Sequence, residues 1–459
     1  MGGCLWAQTA DVPLWAEQVN RAAAMIKEQP QAAEDAFDEL LRGKNKRNTA
    51  LLVDIGEAYL QEGKYDMASV YAQRAKEVDN KYADAYLLSG NVAMARKDVN
   101  QASSDYSQAI YFDEDCCEAY LKYAELYQGV NPQLSLDMLQ RLQDKMPDDI
   151  RVQKQLGDIY YGMGEYGKAI TAYNDFMDDG KPSPQDYARY ATLLYLNKEY
   201  SQSLEETKEG LAVAPDNLIL NRLAMYDNYE LEAVDEGLEA ARAFFALPDA
   251  ENRVYLDYVY YGRLLDAKEQ YAEAIGQYQK ALELNVQHPE IYKAMAETYE
   301  KVPDYPKAIA AFKKYMEAIR EPSDAGDLFL YGQLNYFAAS DPTALHNQAL
   351  YLSEADSAFA EVADYTPDNY LGPFWRARTN SLLDPETTQG LAKPYYEAAL
   401  NLLERKPDAS KSLLVECLSY LGYYYFVQED YPQSKTYWTR ILTLDPENET
   451  ALKALEGLQ

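Results

Sequence analysis

Residues 162–169, GMGEYGKA, have the spacing of a phosphate-binding loop. Their three glycines fit G-x-G-x-x-G, and Lys168 follows the last of them as in G-x-x-x-x-G-K-[ST]. Such loops offer backbone N–H groups to phosphate and a Ser or Thr hydroxyl to magnesium. Ala169 occupies the position of that hydroxyl, and the preceding residues follow a helical period and not a strand period. We therefore expect a turn between two helices and no nucleotide site.

The other residue types used in catalysis or metal binding are few and scattered. Neither histidine, His288 or His346, has a cysteine, histidine or carboxylate at a ligand spacing. The four cysteines form no C-x-x-C pair; they are Cys4, Cys116, Cys117 and Cys417. We therefore expect no catalytic residue, no cofactor and no metal ligand, and we predict that the protein is not an enzyme.

The charge balance excludes several classes of partner. The 459 residues include 43 Lys and Arg against 75 Asp and Glu, which gives a net charge of −32. Such a chain repels phosphate backbones and anionic lipid headgroups, so we expect no nucleic-acid partner. The sequence also has no apolar run of about 18 residues, the minimum for a transmembrane helix.

The helices that would position a binding residue are predicted from a sequence pattern that repeats along the chain. Residues 51–79 and 85–113 align with Gly56 over Gly90, and alanines follow at the same offset of 34 residues. Apolar residues at i, i+3, i+4 and i+7 predict amphipathic helices, and the small residues let paired helices approach closely. The pattern returns in four further stretches: 155–177, 260–284, 294–316 and 420–448.

This pattern resembles the tetratricopeptide repeat, a helix–turn–helix motif of 34 residues. The resemblance covers roughly residues 49–446. It implies an all-α fold, a right-handed superhelical solenoid of about eleven repeats with a cap at each end. The repeats are predicted to begin near residues 49, 83, 117, 150, 184, 218, 255, 289, 325, 370 and 415.

The regularity of the repeats also predicts a division of the chain. A regular array is interrupted once by a repeat without the Gly/Ala pattern and ends in degenerate repeats that carry two insertions. The predicted segments are a signal or lipid-attachment remnant at 1–10, an N-terminal helical cap at 11–48, a regular array at 49–217, an irregular repeat at 218–253, a second array at 254–322, degenerate repeats at 323–448 with insertions at 338–354 and 382–394, and a C-terminal cap helix at 449–459.

In this family the first helix of each repeat lines a concave groove that binds protein. The resemblance therefore implies that the groove receives the residue after each Gly/Ala position and the residue three further on. These candidate protein-binding residues are Glu57, Asn91, Glu125, Asp158, Tyr161, Thr192, Tyr195, Arg263, Glu297, Gln333, Tyr336, Arg378, Tyr423 and Phe426. Because the charged candidates of the first half, Glu57, Glu125 and Asp158, are all acidic, we expect a basic partner segment there.

The family's best-defined ligand mode is a clamp of Lys and Asn residues that grips the C-terminal carboxylate of a chaperone. Val53, Leu87 and Leu121 stand where the clamp lysine belongs, and only Asn91 fits the motif. A chaperone-tail adaptor of that kind is not expected.

The first ten residues, MGGCLWAQTA, bear on location. Gly2-Gly3-Cys4 resembles the end of a bacterial lipobox with Cys4 as the acylated residue, and CLWAQ resembles the end of a signal core cleaved near Ala7 or Gln8. The alternative is the plain terminus of a cytoplasmic protein. We expect a periplasmic or outer-membrane-associated bacterial protein with a candidate lipid anchor at Cys4.

These observations predict a non-catalytic scaffold that binds a peptide or protein face in its groove, in a bacterial envelope assembly. Affinity would come from a few groove aromatics and charges spread over several repeats. Three alternatives stay open: a helical envelope protein that binds glycans or nutrients, a cytosolic adaptor, and a structural protein that self-associates through its end repeats.

Overall fold

The computed structural model of the protein describes residues 13–248, 250–285, 288–319, 323–342 and 346–458. These residues form helices and turns without a strand. The predicted remnant at 1–10, including Cys4, lies outside the described residues. The chain divides into two compact units, Met1–Asp227 and Asn228–Gln459, and the division falls within one helix, α13 (Leu218–Glu230).

The first compact unit contains twelve helices before α13 in its described part. They are α1 (Ala16–Ala23), α2 (Pro30–Leu40), α3 (Thr49–Gln61), α4 (Tyr65–Val78), α5 (Ala83–Ala95), α6 (Val99–Phe112), α7 (Cys117–Tyr127), α8 (Pro132–Lys145), α9 (Ile150–Gly162), α10 (Tyr166–Asp179), α11 (Pro184–Leu196) and α12 (Tyr200–Val213). A short 3-10 helix, Gly43–Arg47, lies between α2 and α3.

The second compact unit continues the same pattern. Its helices are α14 (Val234–Ala246), α15 (Tyr255–Ala267), α16 (Tyr271–Leu284), α17 (Pro289–Lys301), α18 (Tyr305–Ala318), α19 (Ala325–Ser340), α20 (Gln348–Tyr365), α21 (Leu371–Leu383), α22 (Lys393–Glu404), α23 (Lys411–Val427), α24 (Tyr431–Leu444) and α25 (Glu449–Gly457). A second 3-10 helix, Ala250–Asn252, precedes α15.

The helix pairs confirm the predicted all-α repeat fold. From α3 to α24 the helices follow one another as eleven successive pairs, and nine of the eleven pairs begin at the predicted residue. The tenth begins one residue later, at Leu371, and the eleventh begins at Lys411 in place of 415. The helices α1 and α2 precede this array and α25 follows it, as expected of end caps.

The turn between the two helices of a pair explains the glycines that resemble a phosphate-binding loop. Helix α9 ends at Gly162, and Gly164 adopts a left-handed φ of 75°, so the chain reverses into α10. Lys97 and Glu269 occupy the same turn position with φ of 62° each. The motif is therefore the turn of a helix pair, as predicted.

Small residues face large rings where paired helices cross. A Cβ added to Gly157 of α9 would lie 2.3 Å from Tyr173 of α10, and one added to Gly262 of α15 would lie 2.5 Å from Tyr278 of α16. Both tyrosines are fully buried. The ring of one helix thus occupies the space that the glycine of its partner leaves open, as the sequence predicts.

The two predicted insertions take different forms. Most described residues of 338–354 belong to α19 and α20, which are longer than the helices of the regular pairs; residues 343–345 lie outside the described part. The insertion at 382–394 is a turn around the buried Asp384 carboxylate, which accepts backbone N–H bonds from Thr388, Gln389 and Gly390 at 3.1, 3.0 and 2.7 Å. A side chain thus satisfies the backbone of this loop.

Candidate functional site

Four carboxylates from three successive first helices interact in the first compact unit. Asp54 and Glu57 lie one turn apart on α3, Asp84 lies in the first turn of α5, and Glu118 lies in the first turn of α7. Helix α3 packs directly against α5. We call Asp54, Glu57, Asp84 and Glu118 the acidic cluster.

Burial and mutual repulsion change the protonation of this cluster. Partial burial is the largest of the effects that together raise the pKa of Glu57 to about 7, and the charges of Asp54, Asp84 and Glu118 contribute to the same rise. Burial likewise raises the pKa of both Asp54 and Asp84. Glu57 is therefore a carboxyl group close to half protonated at neutral pH.

Three members of the cluster have polar partners. The indole N–H of Trp15 donates to Asp54 at 2.7 Å, Arg151 donates to Glu118 at 3.2 Å, and a hydrogen bond from Tyr82 lowers the pKa of Asp84 against the effect of burial. Among the described residues, no lysine or arginine side chain forms an ion pair with Glu57. Glu57 is the member that a cation from outside the chain would stabilise most.

The other polar candidates of the first compact unit are already engaged. Asn91 accepts from the Tyr106 hydroxyl at 2.9 Å, and the exposed Glu125 pairs with Lys122 of its own helix at 2.9 Å. Asp158 accepts from the hydroxyl of Tyr173 at 2.6 Å and from the guanidinium of Arg189 at 2.8 Å. Asp158 therefore links α9 to α10 and α11.

The tyrosine and threonine candidates of this unit are half-buried among neighbouring helices. The Tyr161 ring lies 5.9 Å from the Arg189 guanidinium, and the Tyr195 ring lies 5.8 Å from the Tyr226 ring. The Thr192 hydroxyl donates to the Ala188 carbonyl at 2.6 Å within α11. These contacts occur within and between repeats, so part of each side chain serves packing.

In the second compact unit, Arg263 and Glu297 line one cavity of about 410 Å³ with Lys293 and Tyr229. The guanidinium of Arg263 lies 5.8 Å from the Tyr229 ring centre, a cation–π distance. Burial raises the pKa of Glu297, although the charges of two nearby lysines lower it. The cavity therefore offers both signs of charge to a ligand.

Two further candidates surround Trp375. The ring of Tyr336 meets the Trp375 ring edge-on at 5.3 Å, and the Arg378 guanidinium lies 5.1 Å from it. Arg378 also forms two hydrogen bonds to Glu416 at 2.8 and 2.7 Å, which join α21 to α23. Gln333 lies half-buried on α19. Packing and ion pairing explain the contacts of Tyr336 and Arg378.

Tyr423 and Phe426 differ from the other aromatic candidates because both are exposed, to 43% and 44%. With Trp438 and Leu458 they line a largely apolar groove of about 260 Å³ between α23, α24 and α25. Exposed aromatic rings in a groove are typical anchors for a bound peptide.

The structure thus brings some predicted residues together and adds others. Arg263 and Glu297 share a cavity, and Tyr423 and Phe426 share a groove. The sequence analysis missed Asp54, Asp84 and Glu118. Asp54 could have been found from its position one helical turn before Glu57, whereas the others required the packing of successive repeats.

The described residues contain no group of three or more His, Cys, Asp or Glu side chains placed to hold a metal ion. Within that same part of the chain, none of the helices is both long and apolar enough to span a membrane.

Comparisons with known proteins identify the family. Residues 49–82 match the family model described as Tetratricopeptide repeat. The chain is 30% identical to the C-terminal part of a TPR repeat-containing protein from Cytophaga hutchinsonii, over 58% of this chain and 99% of that one, with a TM-score of 0.49. No curated protein shows significant similarity to the chain.

Two other solved structures are more distant. A tetratricopeptide repeat protein from Parabacteroides merdae is 15% identical over 55% of this chain and 98% of that one, with a TM-score of 0.36. PilW, described as a widely conserved type IV pilus biogenesis factor, is 19% identical over 48% of this chain and 94% of that one, with a TM-score of 0.38. From the matched repeat and the 30% identity, the chain belongs to the tetratricopeptide-repeat family.

Proposed function

We propose that the protein is a non-catalytic scaffold that holds a peptide or protein segment against the first helices of its repeats. Tetratricopeptide-repeat proteins bind protein partners, and no feature of the described residues points to enzyme activity. In the first compact unit the preferred segment is basic, and Glu57 is its principal contact.

The observation that carries this proposal is the position of the half-buried Glu57 beside three other carboxylates on successive first helices. Its pKa of about 7 reflects burial and three neighbouring carboxylates with no cation of the described chain to offset them. A lysine or arginine side chain placed beside Glu57 would favour the ionised form and relieve the repulsion within the acidic cluster. A basic segment is therefore the partner that this surface stabilises most.

The second compact unit supports binding of a different kind. The cavity lined by Arg263 and Glu297 suits a polar segment with charges of both signs, and the groove lined by Tyr423 and Phe426 suits an apolar side chain. Scaffolds of this family distribute affinity over several repeats, so each surface would contribute a part of the binding free energy.

Charge reversal at Glu57 tests the proposal. The variant Glu57→Lys should bind a fluorescein-labelled peptide rich in lysine and arginine at least about tenfold more weakly than the unmodified chain, because it replaces attraction by repulsion at the centre of the cluster. Fluorescence anisotropy at fixed ionic strength measures the dissociation constant.

Glu209→Lys is the matched control, since Glu209 is exposed on α12, the second helix of its pair. It changes the net charge by the same amount and should leave the affinity within about twofold. Equal weakening by both variants would show a general charge effect and would refute a site at Glu57. Unchanged binding of both would place the basic segment elsewhere.

We also propose a bacterial envelope location, periplasmic or associated with the outer membrane, with a cytoplasmic location as the alternative. The support is the resemblance of MGGCLWAQTA to a secretion or lipid-attachment segment, which lies outside the described residues. Fractionation of the source cells distinguishes the two locations.

A further inference from the structure

The segment before the first repeat carries an unusual distribution of charge. Helix α2 presents four exposed carboxylates, Glu34, Asp35, Asp38 and Glu39, which we call the acidic segment. The 3-10 helix that follows, with the residue before it, presents four exposed cations, Arg42, Lys44, Lys46 and Arg47, which we call the basic segment. This is a dense basic patch in a chain whose net charge is −32.

These two segments do not neutralise each other within the molecule. In the described part of the chain, none of the eight side chains forms an ion pair. Helix α2 ends at Leu40, and Gly43 adopts a left-handed φ of 63°, so the chain turns between α2 and the 3-10 helix.

A groove adjoins both segments. It has a volume of about 530 Å³, lies between α1 and α2, and is lined by Glu39 of the acidic segment and Arg42 of the basic segment. Ala22, Met25 and Leu40 line it beside the polar side chains of Gln18, Arg21 and Asn45. The surface therefore combines unpaired charges of both signs with apolar contact area, as protein interfaces do.

We propose that residues 34–47 form a self-complementary surface through which two copies of this chain pair about a two-fold axis. In this arrangement the acidic segment of each copy lies against the basic segment of the other. A two-fold axis makes both contacts identical, so in each of the two contacts four carboxylates lie opposite four cations. The same contact brings the two grooves together and covers the apolar side chains in their lining.

The charges favour a second copy over other partners of a basic patch. An anionic lipid surface or a nucleic acid would attract the basic segment but would be repelled by the acidic segment beside it and by the net charge of −32. A second copy supplies the opposite charge to both segments. Because the contacts are exposed ion pairs, the pairing is sensitive to salt.

Analytical ultracentrifugation of the full chain tests the proposal. At about 0.05 M salt the chain should sediment as a monomer–dimer equilibrium, and at about 0.5 M salt the dimer should weaken by at least about tenfold. A chain that stays monomeric at both salt concentrations up to about 0.2 mM, above the usual range for specific pairing, overturns the proposal.

Two charge-reversed variants make the test specific. The all-acidic variant replaces the basic segment by Arg42→Glu, Lys44→Glu, Lys46→Glu and Arg47→Glu. The all-basic variant replaces the acidic segment by Glu34→Lys, Asp35→Lys, Asp38→Lys and Glu39→Lys. Each should be monomeric alone, because like charges then face each other across the axis. An equimolar mixture of the two should form a heterodimer, which also shows that both variants are folded.

A control variant separates the local contact from net charge. It carries four reversals at exposed lysines elsewhere in the first compact unit: Lys64→Glu, Lys81→Glu, Lys181→Glu and Lys208→Glu. Its net charge equals that of the all-acidic variant, and it should still dimerise. Loss of the dimer in the control, or failure of the mixed variants to pair, would overturn the proposal. Binding of vesicles containing anionic lipid by the unmodified chain, with no dimer, would assign the basic segment to a membrane surface instead.

Discussion

Replacing Gly157 by valine is expected to destabilise the first compact unit by about 3 kcal/mol. A Cβ at this position would lie 2.3 and 2.6 Å from two carbons of the Tyr173 ring. The ring cannot move aside freely, because it is fully buried, stacks on Tyr190 at 5.9 Å and donates its hydroxyl to Asp158 at 2.6 Å. Urea unfolding followed by circular dichroism measures the loss.

The matched control is Gly167→Val in α10. Gly167 is also helical, but a Cβ there would meet no atom within 4 Å. Since valine has a somewhat better helix propensity than glycine, this variant should stay within about 0.5 kcal/mol of the unmodified chain. Equal destabilisation by both variants would mean that the close crossing of α9 and α10 is not the reason for the glycine at position 157.

Replacing Glu57 by glutamine is expected to stabilise the protein by about 2 kcal/mol at pH 8 and to leave its stability almost unchanged at pH 4.5. In the folded state the pKa of Glu57 is raised from 4.5 to about 7. Between these values the folded state binds more protons than the unfolded state, so Glu57 makes stability fall as pH rises from 4.5 to 7. The neutral amide of glutamine does not ionise, so the variant does not lose this stability as pH rises.

Urea unfolding of both proteins at several pH values from 4.5 to 8 measures the difference, in which the contributions of other groups largely cancel. Glu125→Gln is the control, because Glu125 is exposed and paired with Lys122 at a helix surface. It should change stability by less than about 0.5 kcal/mol at either pH. A Glu57→Gln variant that is less stable than the unmodified chain at pH 8 would contradict the raised pKa.

The repeat period explains why most of the fold could be predicted. The spacing of 34 residues between Gly56 and Gly90 recurs with small variation as far as α19, and the starts of those helix pairs follow from it, whereas the last two pairs are spaced more widely. The start of α23 at Lys411 differed from the predicted residue 415 because the degenerate repeats lack a clear pattern. The predicted segment boundaries, apart from the helices themselves, remain predictions.

Contacts between repeats could be predicted less well from the sequence. Asp158 was predicted as a groove residue, and it remains a candidate, but its hydrogen bond to Arg189 joins residues 31 positions apart and depends on how successive repeats pack. The effect of Asp84 and Glu118 on Glu57 depends on the same packing. The sequence pattern predicts which residues share a helix face. It does not predict the register between neighbouring helices, on which these contacts depend.

The central claim is that a basic segment binds at Glu57, and proton release on binding tests it most directly. Isothermal titration calorimetry of a lysine- and arginine-rich peptide at pH 7, in phosphate and in Tris, gives the number of protons exchanged from the difference in heat. Because the pKa of Glu57 is about 7, ionisation on contact should release about half a proton per peptide, and Glu57→Gln should abolish the release. A heat of binding that is the same in both buffers, or proton uptake, would contradict the claim.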